Sequence, residues 1–189
     1  MQRLSFITIC TLVALLTTAS IATADERPVE EVRAHAQGLL MGTFVSKEHP
    51  NEVNRKIERA VRSATSGMNF LIRGKARSHL YDLTKPCKDL TFRFDDDEAE
   101  IQCEDRKANR APVDGTGVHQ VRGGGEPHEL VHEISKEDRI VQFMRSKNGV
   151  RRDVYVVSMD GSRMTVHTTI QSRWLSDQVN YRLEFVRAR

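Results

Sequence analysis

The sequence predicts an α+β protein: two amino-terminal helices, then an eight-stranded antiparallel barrel of up-and-down topology or a strongly curved meander sheet. Two observations carry this expectation. Apolar residues recur at helical spacing up to about residue 80 and with a period of two after Pro86. Turn residues then punctuate the chain every ten to twelve positions, as short antiparallel strands require.

The amino end predicts export. Arg3 precedes an apolar run over 4–16, and small residues follow, ending in Ala22, Thr23 and Ala24, which fits an A-x-A cleavage rule. Thr8, Thr11, Thr17, Thr18 and Ser20 interrupt the stretch, and a membrane span needs about 20 apolar residues. The expected plan is a cleaved signal peptide over 1–24, a helical segment over 25–86 packing on the barrel, and the barrel over 87–189. The protein is then secreted, or periplasmic in a Gram-negative source. The net charge is +3, and Arg3 is the only charged residue before Asp25, so the processed chain carries +2. That is too little to point to a nucleic-acid partner.

The first helix is expected to start near Pro28, with Val29, Val32, Ala36, Leu39 and Leu40 on its apolar side. A linker over 42–50 follows, marked by Gly42 and Pro50. Val53, Ile57, Ala60, Val61, Ala64, Met68, Leu71 and Ile72 then predict one long amphipathic helix over 51–80. Arg55, Lys56, Arg59, Arg62, Arg73, Lys75 and Arg77 stand in this stretch against only Glu52 and Glu58. The ordinary reading of such a run is a solvated face; the alternative is an envelope interaction module touching anionic lipid or an acidic partner.

Strands are predicted over 89–94, 98–104, 117–122, 128–135, 139–146, 151–158, 162–170 and 178–187. Lys147-Asn148-Gly149 and Asp160-Gly161 supply turn chemistry, because Asn and Gly tolerate positive φ. In the last strand Val179, Tyr181, Leu183 and Phe185 alternate with Asn180, Arg182 and Glu184, so one face is buried and one is wet. Cys10 leaves with the signal, and export makes Cys87–Cys103 the expected disulfide, closing the first hairpin around Asp95-Asp96-Asp97.

Eight strands with one apolar face avoid exposed edges by closing into a barrel. The strand count, the hairpin connections and the segment over 154–167 resemble the lipocalin and calycin group, including secreted bacterial lipocalin-like proteins of unassigned function. The resemblance covers residues 87–189. It departs from true lipocalins in two ways: Trp174, the only tryptophan, lies between the last two strands, and the helices precede the barrel. An eight-stranded barrel either fills with side chains or holds one small ligand. The expected function is non-catalytic binding of a small apolar or amphipathic ligand, with Phe92, Phe94, Ile101, Leu130, His132, Met164, Val166, Tyr181 and Phe185 facing inward.

The rival expectation is a zinc-dependent hydrolase. His128-Glu129-Leu130-Val131-His132 matches His-Glu-x-x-His, in which two imidazoles share a zinc at about 2.1 Å and the glutamate activates its water. That geometry exists only on a helix, because four residues of strand span about 13 Å. Helix or strand therefore decides between His128 and His132 as metal ligands with Glu129 as the base, and His132 as a polar group inside a barrel. Gly-x-Ser-x-Gly, Ser-x-x-Lys and Cys-x-x-Cys are absent from the sequence. Gly123 to Gly125 lacks the Lys-Ser/Thr pair that completes a P-loop.

Overall fold

A computed structural model describes residues 28–121 and 127–189; the segment over 1–24 expected to be a signal peptide and residues Gly123 to Gly125 lie outside them. The chain runs through α1 (Val29–Leu40), β1 (Gly42–Ser46), α2 (Pro50–Ala64), α3 (Phe70–Leu83), β2 (Asp89–Asp95), β3 (Glu98–Cys103), β4 (Asn109–Pro112) and β5 (Asp114–Val121). It continues through β6 (Pro127–Lys136), β7 (Arg139–Ser146), β8 (Gly149–Val157), β9 (Arg163–Ser172) and β10 (Val179–Arg187). The strands form one antiparallel sheet in the order β4-β3-β2-β1-β10-β9-β8-β7-β6-β5. Between its two ends the Val113 carbonyl accepts from the Ile134 amide at 3.1 Å, and the Arg110 carbonyl accepts from Gln120 Nε2 at 3.1 Å. The sheet is thus a nearly closed barrel.

The described strands number ten, which corrects the expected eight. β1 lies inside the stretch expected to be a linker. Its breaker, Gly42, sits at φ 121°, a left-handed conformation at the strand's first residue, and only Phe44 of its five residues is buried. β4 is four residues long and ends in Pro112, too short for an alternating pattern to register. The expected single helix over 51–80 is likewise two helices. Thr65 ends α2 by donating its hydroxyl to the Val61 carbonyl at 2.8 Å, and Asn69 Oδ1 caps α3 by accepting from the Leu71 amide at 3.0 Å. The elbow between them breaks the apolar stripe: Val53, Ile57, Val61, Ala64 and Met68 are buried, while Leu71 and Ile72 face solvent.

Strand directions give the barrel two distinct ends. The base gathers the β2–β3, β6–β7 and β8–β9 turns, and α1 lies across it against β6 and β7. Gln37 Nε2 donates to the Asp96 carbonyl at 3.3 Å, and Ala36 and Leu40 are fully buried. At the other end α2 and α3 pack above the β9–β10 turn, where Ser176 Oγ donates to the Ala64 carbonyl at 3.0 Å. Helices therefore cover both mouths. Leu40, Ile134, Ile140, Val157, Met164 and Phe185 form the apolar base of the core, and Phe92 packs edge-on against Phe44 and Tyr155 at 6.1 and 5.2 Å between ring centres.

Cys87 and Cys103 are disulfide-bonded with Cα atoms 5.5 Å apart, as their places around the β2–β3 hairpin lead one to expect. Closing a loop of about 15 residues stabilises a fold by about 3 kcal/mol in the chain-entropy account. No helix among the described residues is long and apolar enough to cross a membrane.

Candidate ligand-binding interior

A row of polar side chains crosses the inside of the barrel. Tyr181 pairs with Thr168, Thr168 with Asp153, Asp153 with Gln142 and Gln142 with His132, so one register line carries five polar residues over β10, β9, β8, β7 and β6. Strand alternation turns all five to the same face, and Arg151 and Tyr155 flank Asp153 on β8. His132, Gln142, Asp153 and Thr168 are buried.

Most of these groups bond to one another. Arg151 Nε donates to Asp153 Oδ2 at 2.8 Å, and Thr168 Oγ1 donates to Asp153 Oδ1 at 2.6 Å. Arg151 Nη1 reaches the Leu83 carbonyl at the end of α3, at 2.6 Å. Gln142 Nε2 lies 3.5 Å from both Asp153 Oδ2 and the Tyr155 hydroxyl. Gln142 Oε1 accepts from Asn109 Nδ2 at 3.1 Å and contacts His132 Nε2 at 3.0 Å. With Gln142 presenting an acceptor, the network assigns the imidazole proton to Nε2. His132 Nδ1 is then a buried lone pair without a hydrogen bond.

Burial sets the charge states. It lowers the His132 pKa, and the contact with Gln142 and the nearby Ala111 and Ala99 backbone offset this only in part, so the ring is neutral. Burial also opposes the Arg151 charge, but the Asp153 carboxylate overcomes it and holds the guanidinium above its ordinary value. Burial raises the Tyr181 hydroxyl. The row therefore contains one cation and one anion in direct contact.

The expected ligand-facing residues lie on the inner side. Phe92, Ile101, Leu130, His132, Met164, Val166 and Phe185 are buried, and Phe94 and Tyr181 are half-buried against the same core. They pack on one another. Clefts formed by described residues include one of about 520 Å³ at the base beside Asp160, Arg163 and Arg189, and one of about 300 Å³ between Arg55, Glu58, Arg59 and Arg62 on the outside of α2. Neither is lined by the inward-facing residues.

The zinc alternative is overturned. His128 and His132 lie on strand β6, where a four-residue separation spans about 13 Å. Glu129 points to the opposite side, ion-paired with Arg145 at 3.2 Å. Among the described residues no group of three or more His, Cys, Asp or Glu side chains is placed to hold a metal.

Sequence reasoning missed Asn109, Gln142, Arg151, Asp153, Tyr155 and Thr168. Their signal was present but ambiguous: Arg151, Asp153 and Tyr155 alternate with Arg152, Val154 and Val156, and an apolar-inward rule chooses the valine side.

No family model matches the chain, and no curated protein matches it in sequence. Solved structures do resemble it. A Schistosoma mansoni fatty acid binding protein in complex with arachidonic acid superposes with a TM-score of 0.51 at 14% identity, covering 82% of this chain and 99% of that one. Caenorhabditis elegans lipid binding protein 8 gives 0.46 at 14% identity, covering 80% and 96%, and zebrafish ileal bile acid-binding protein complexed with cholic acid gives 0.47 at 10%, covering 79% and 99%. The fold is a calycin-like α+β barrel of ten strands, of the kind seen in the Schistosoma protein.

Proposed function

We propose that the chain is an exported, non-catalytic binder of a small uncharged molecule, apolar or amphipathic, held within the barrel. The observation that carries this reading is the polar row over β6 to β10 inside an otherwise apolar core. Buried polar groups are costly for a fold that needs only packing, whereas a few of them inside an apolar container fix the orientation of an amphipathic ligand. The likeness in fold to a fatty acid binding protein solved with arachidonic acid supports the container half of the reading.

The charge balance supports an uncharged ligand. A carboxylate entering the row would compete with Asp153 for Arg151 and leave one buried anion without its partner. A hydroxyl or carbonyl can join the network without that penalty. Entry requires side chains to repack, and Met164, with its flexible thioether, and the half-buried Phe94 and Tyr181 are the groups suited to move. Export rests on the 1–24 segment and is checked by finding Asp25 at the amino terminus of the secreted protein.

Delipidated protein titrated with a long-chain alcohol and with the matching fatty acid tests the binding reading. One-to-one saturable binding of the alcohol, with the acid several-fold weaker, is expected. Saturation by neither probe refutes binding in the barrel, and equal affinity for both refutes the preference for an uncharged ligand.

A further inference from the structure

Four large apolar side chains stand in solvent at the end of the barrel that α2 and α3 cover. Phe70, Leu71 and Ile72 form the first turn of α3 and are 77%, 73% and 56% exposed; Trp174, in the β9–β10 turn, is 63% exposed. The two segments are neighbours. Ser176 bonds to the Ala64 carbonyl, and Gly67 approaches Ser176 so closely that a Cβ there would lie 3.2 Å from its side chain. The elbow between α2 and α3 thus rests on the turn that carries Trp174.

Packing does not account for this sequence. Three consecutive apolar residues spread over about 200° of helix surface, too wide for one core-facing stripe, and Leu80 is the only buried residue of α3. Cations predominate around them, with Asp177 the one acid of the β9–β10 turn. No acidic residue occurs from Asn69 to Tyr81, where Arg73, Lys75 and Arg77 stand, and the Arg173 guanidinium lies 4.6 Å above the Trp174 ring. Arg73 is tied back to the Met68 carbonyl by two bonds at 2.6 and 3.2 Å, and Arg77 to Thr65 Oγ1 at 2.9 Å. These cations are held at the root of the apolar turn.

We propose that Phe70, Leu71, Ile72 and Trp174 form a docking surface for a lipid bilayer bearing anionic headgroups. Apolar side chains that enter the headgroup boundary, an aromatic ring at its level and cations just behind them are the composition that such a surface requires. A second copy of the chain fits poorly, because a self-complementary contact sets Lys75 and Arg173 close to their own counterparts. The surface is separate from the polar row, and the proposal stands or falls independently of ligand binding in the barrel.

Trp174 is the only tryptophan of the chain, so its fluorescence reports on this surface and on no other segment. With phosphatidylglycerol vesicles its emission is expected to shift to the blue and to be quenched by brominated acyl chains; phosphatidylcholine vesicles and high salt weaken both effects. Phe70→Ser with Leu71→Ser lowers vesicle partition by about tenfold or more, the scale expected from withdrawing two large apolar side chains, with an unchanged near-ultraviolet dichroism spectrum. Lys75→Glu with Arg173→Glu removes the preference for anionic lipid. The proposal is overturned if vesicles leave the Trp174 emission unmoved, or if the Phe70 and Leu71 variant responds as the unaltered chain does. It is also overturned if the same variant dissolves a dimer that ignores vesicles, or if polyglutamate reproduces the vesicle response.

Discussion

Arg151 and Asp153 form an ion pair two residues apart on one strand, with the Asp153 side chain 1% exposed and that of Arg151 27% exposed. Both point into the barrel, and each has a further partner there: Thr168 for the carboxylate, the Leu83 carbonyl for the guanidinium. The pair therefore links the wall at β8 and β9 to the end of α3. A same-strand pair of this kind sets the charge of the interior without adding to it.

Removing one member should cost more than replacing the pair. Asp153→Ala leaves the guanidinium facing the core without its carboxylate, a loss of about 3 kcal/mol, the low end for a buried pair because Arg151 is partly solvated. Arg151→Met with Asp153→Leu should recover most of that. Urea denaturation of the single and double variants measures the coupling, and additive losses would contradict it.

Much of this architecture is legible in the residues. The change of period near Pro86 marks the boundary between helices and sheet, and the clean alternation of Val179, Tyr181, Leu183 and Phe185 fixes the inner face of β10. What escapes has a physical cause in each case. β1 contributes one buried side chain, Phe44, and owes its pairing to β2 and β10, which are distant in sequence. The polar row is hidden because its members bond to one another across strands, and a charged residue read alone is assigned to solvent. His132 is legible as an inward residue only with residues 128–135 read as strand, and the same step removes the zinc.

Stability should fall on acidification below neutrality, and His132 should supply part of the slope. Its pKa in the folded chain lies below the unfolded value of 6.5 because the ring is buried. Above 6.5 the ring is neutral in both states and its contribution is fully present. As the pH falls below 6.5 the unfolded chain takes up the proton first, so folding is opposed. His167 has the same sign, lowered by burial and by Arg182, Arg139 and Arg152. Asp160 acts in a lower window: hydrogen bonds from Ser158 and Ser162 hold it at about 2, so its contribution is present above 3.8 and lost below. His132→Gln should flatten the midpoint of urea unfolding against pH just below 6.5 while leaving the loss below 3.8. An unaltered slope in that variant would show that His132 remains neutral in both states or is solvated when folded.

The base of the barrel should depend on Arg187 as much as on the apolar residues it covers. From the last residue of β10 its guanidinium donates to the Leu39 carbonyl, to the Met41 carbonyl at 2.5 Å and, through Nε, to the Gly161 carbonyl at 2.7 Å, and it lies 4.5 Å from the centre of the Phe44 ring. Two of those carbonyls belong to the end of α1 and its exit, where backbone oxygens lack helical partners. Arg187→Ala should cost about 2 kcal/mol, since hydrogen bonds from a charged donor are worth more than neutral ones. It should also speed amide exchange in α1 before β8 or β9 respond. Leu40→Ala, which empties a fully buried site at the same helix end, should cost about 3 kcal/mol by transfer and cavity terms together. The two losses should be less than additive, because once the helix end lifts from the base there is less packing left for Leu40 to lose. Strict additivity, or unchanged α1 exchange in Arg187→Ala, would mean that Leu40 alone holds the helix and that the arginine serves only the β8–β9 turn.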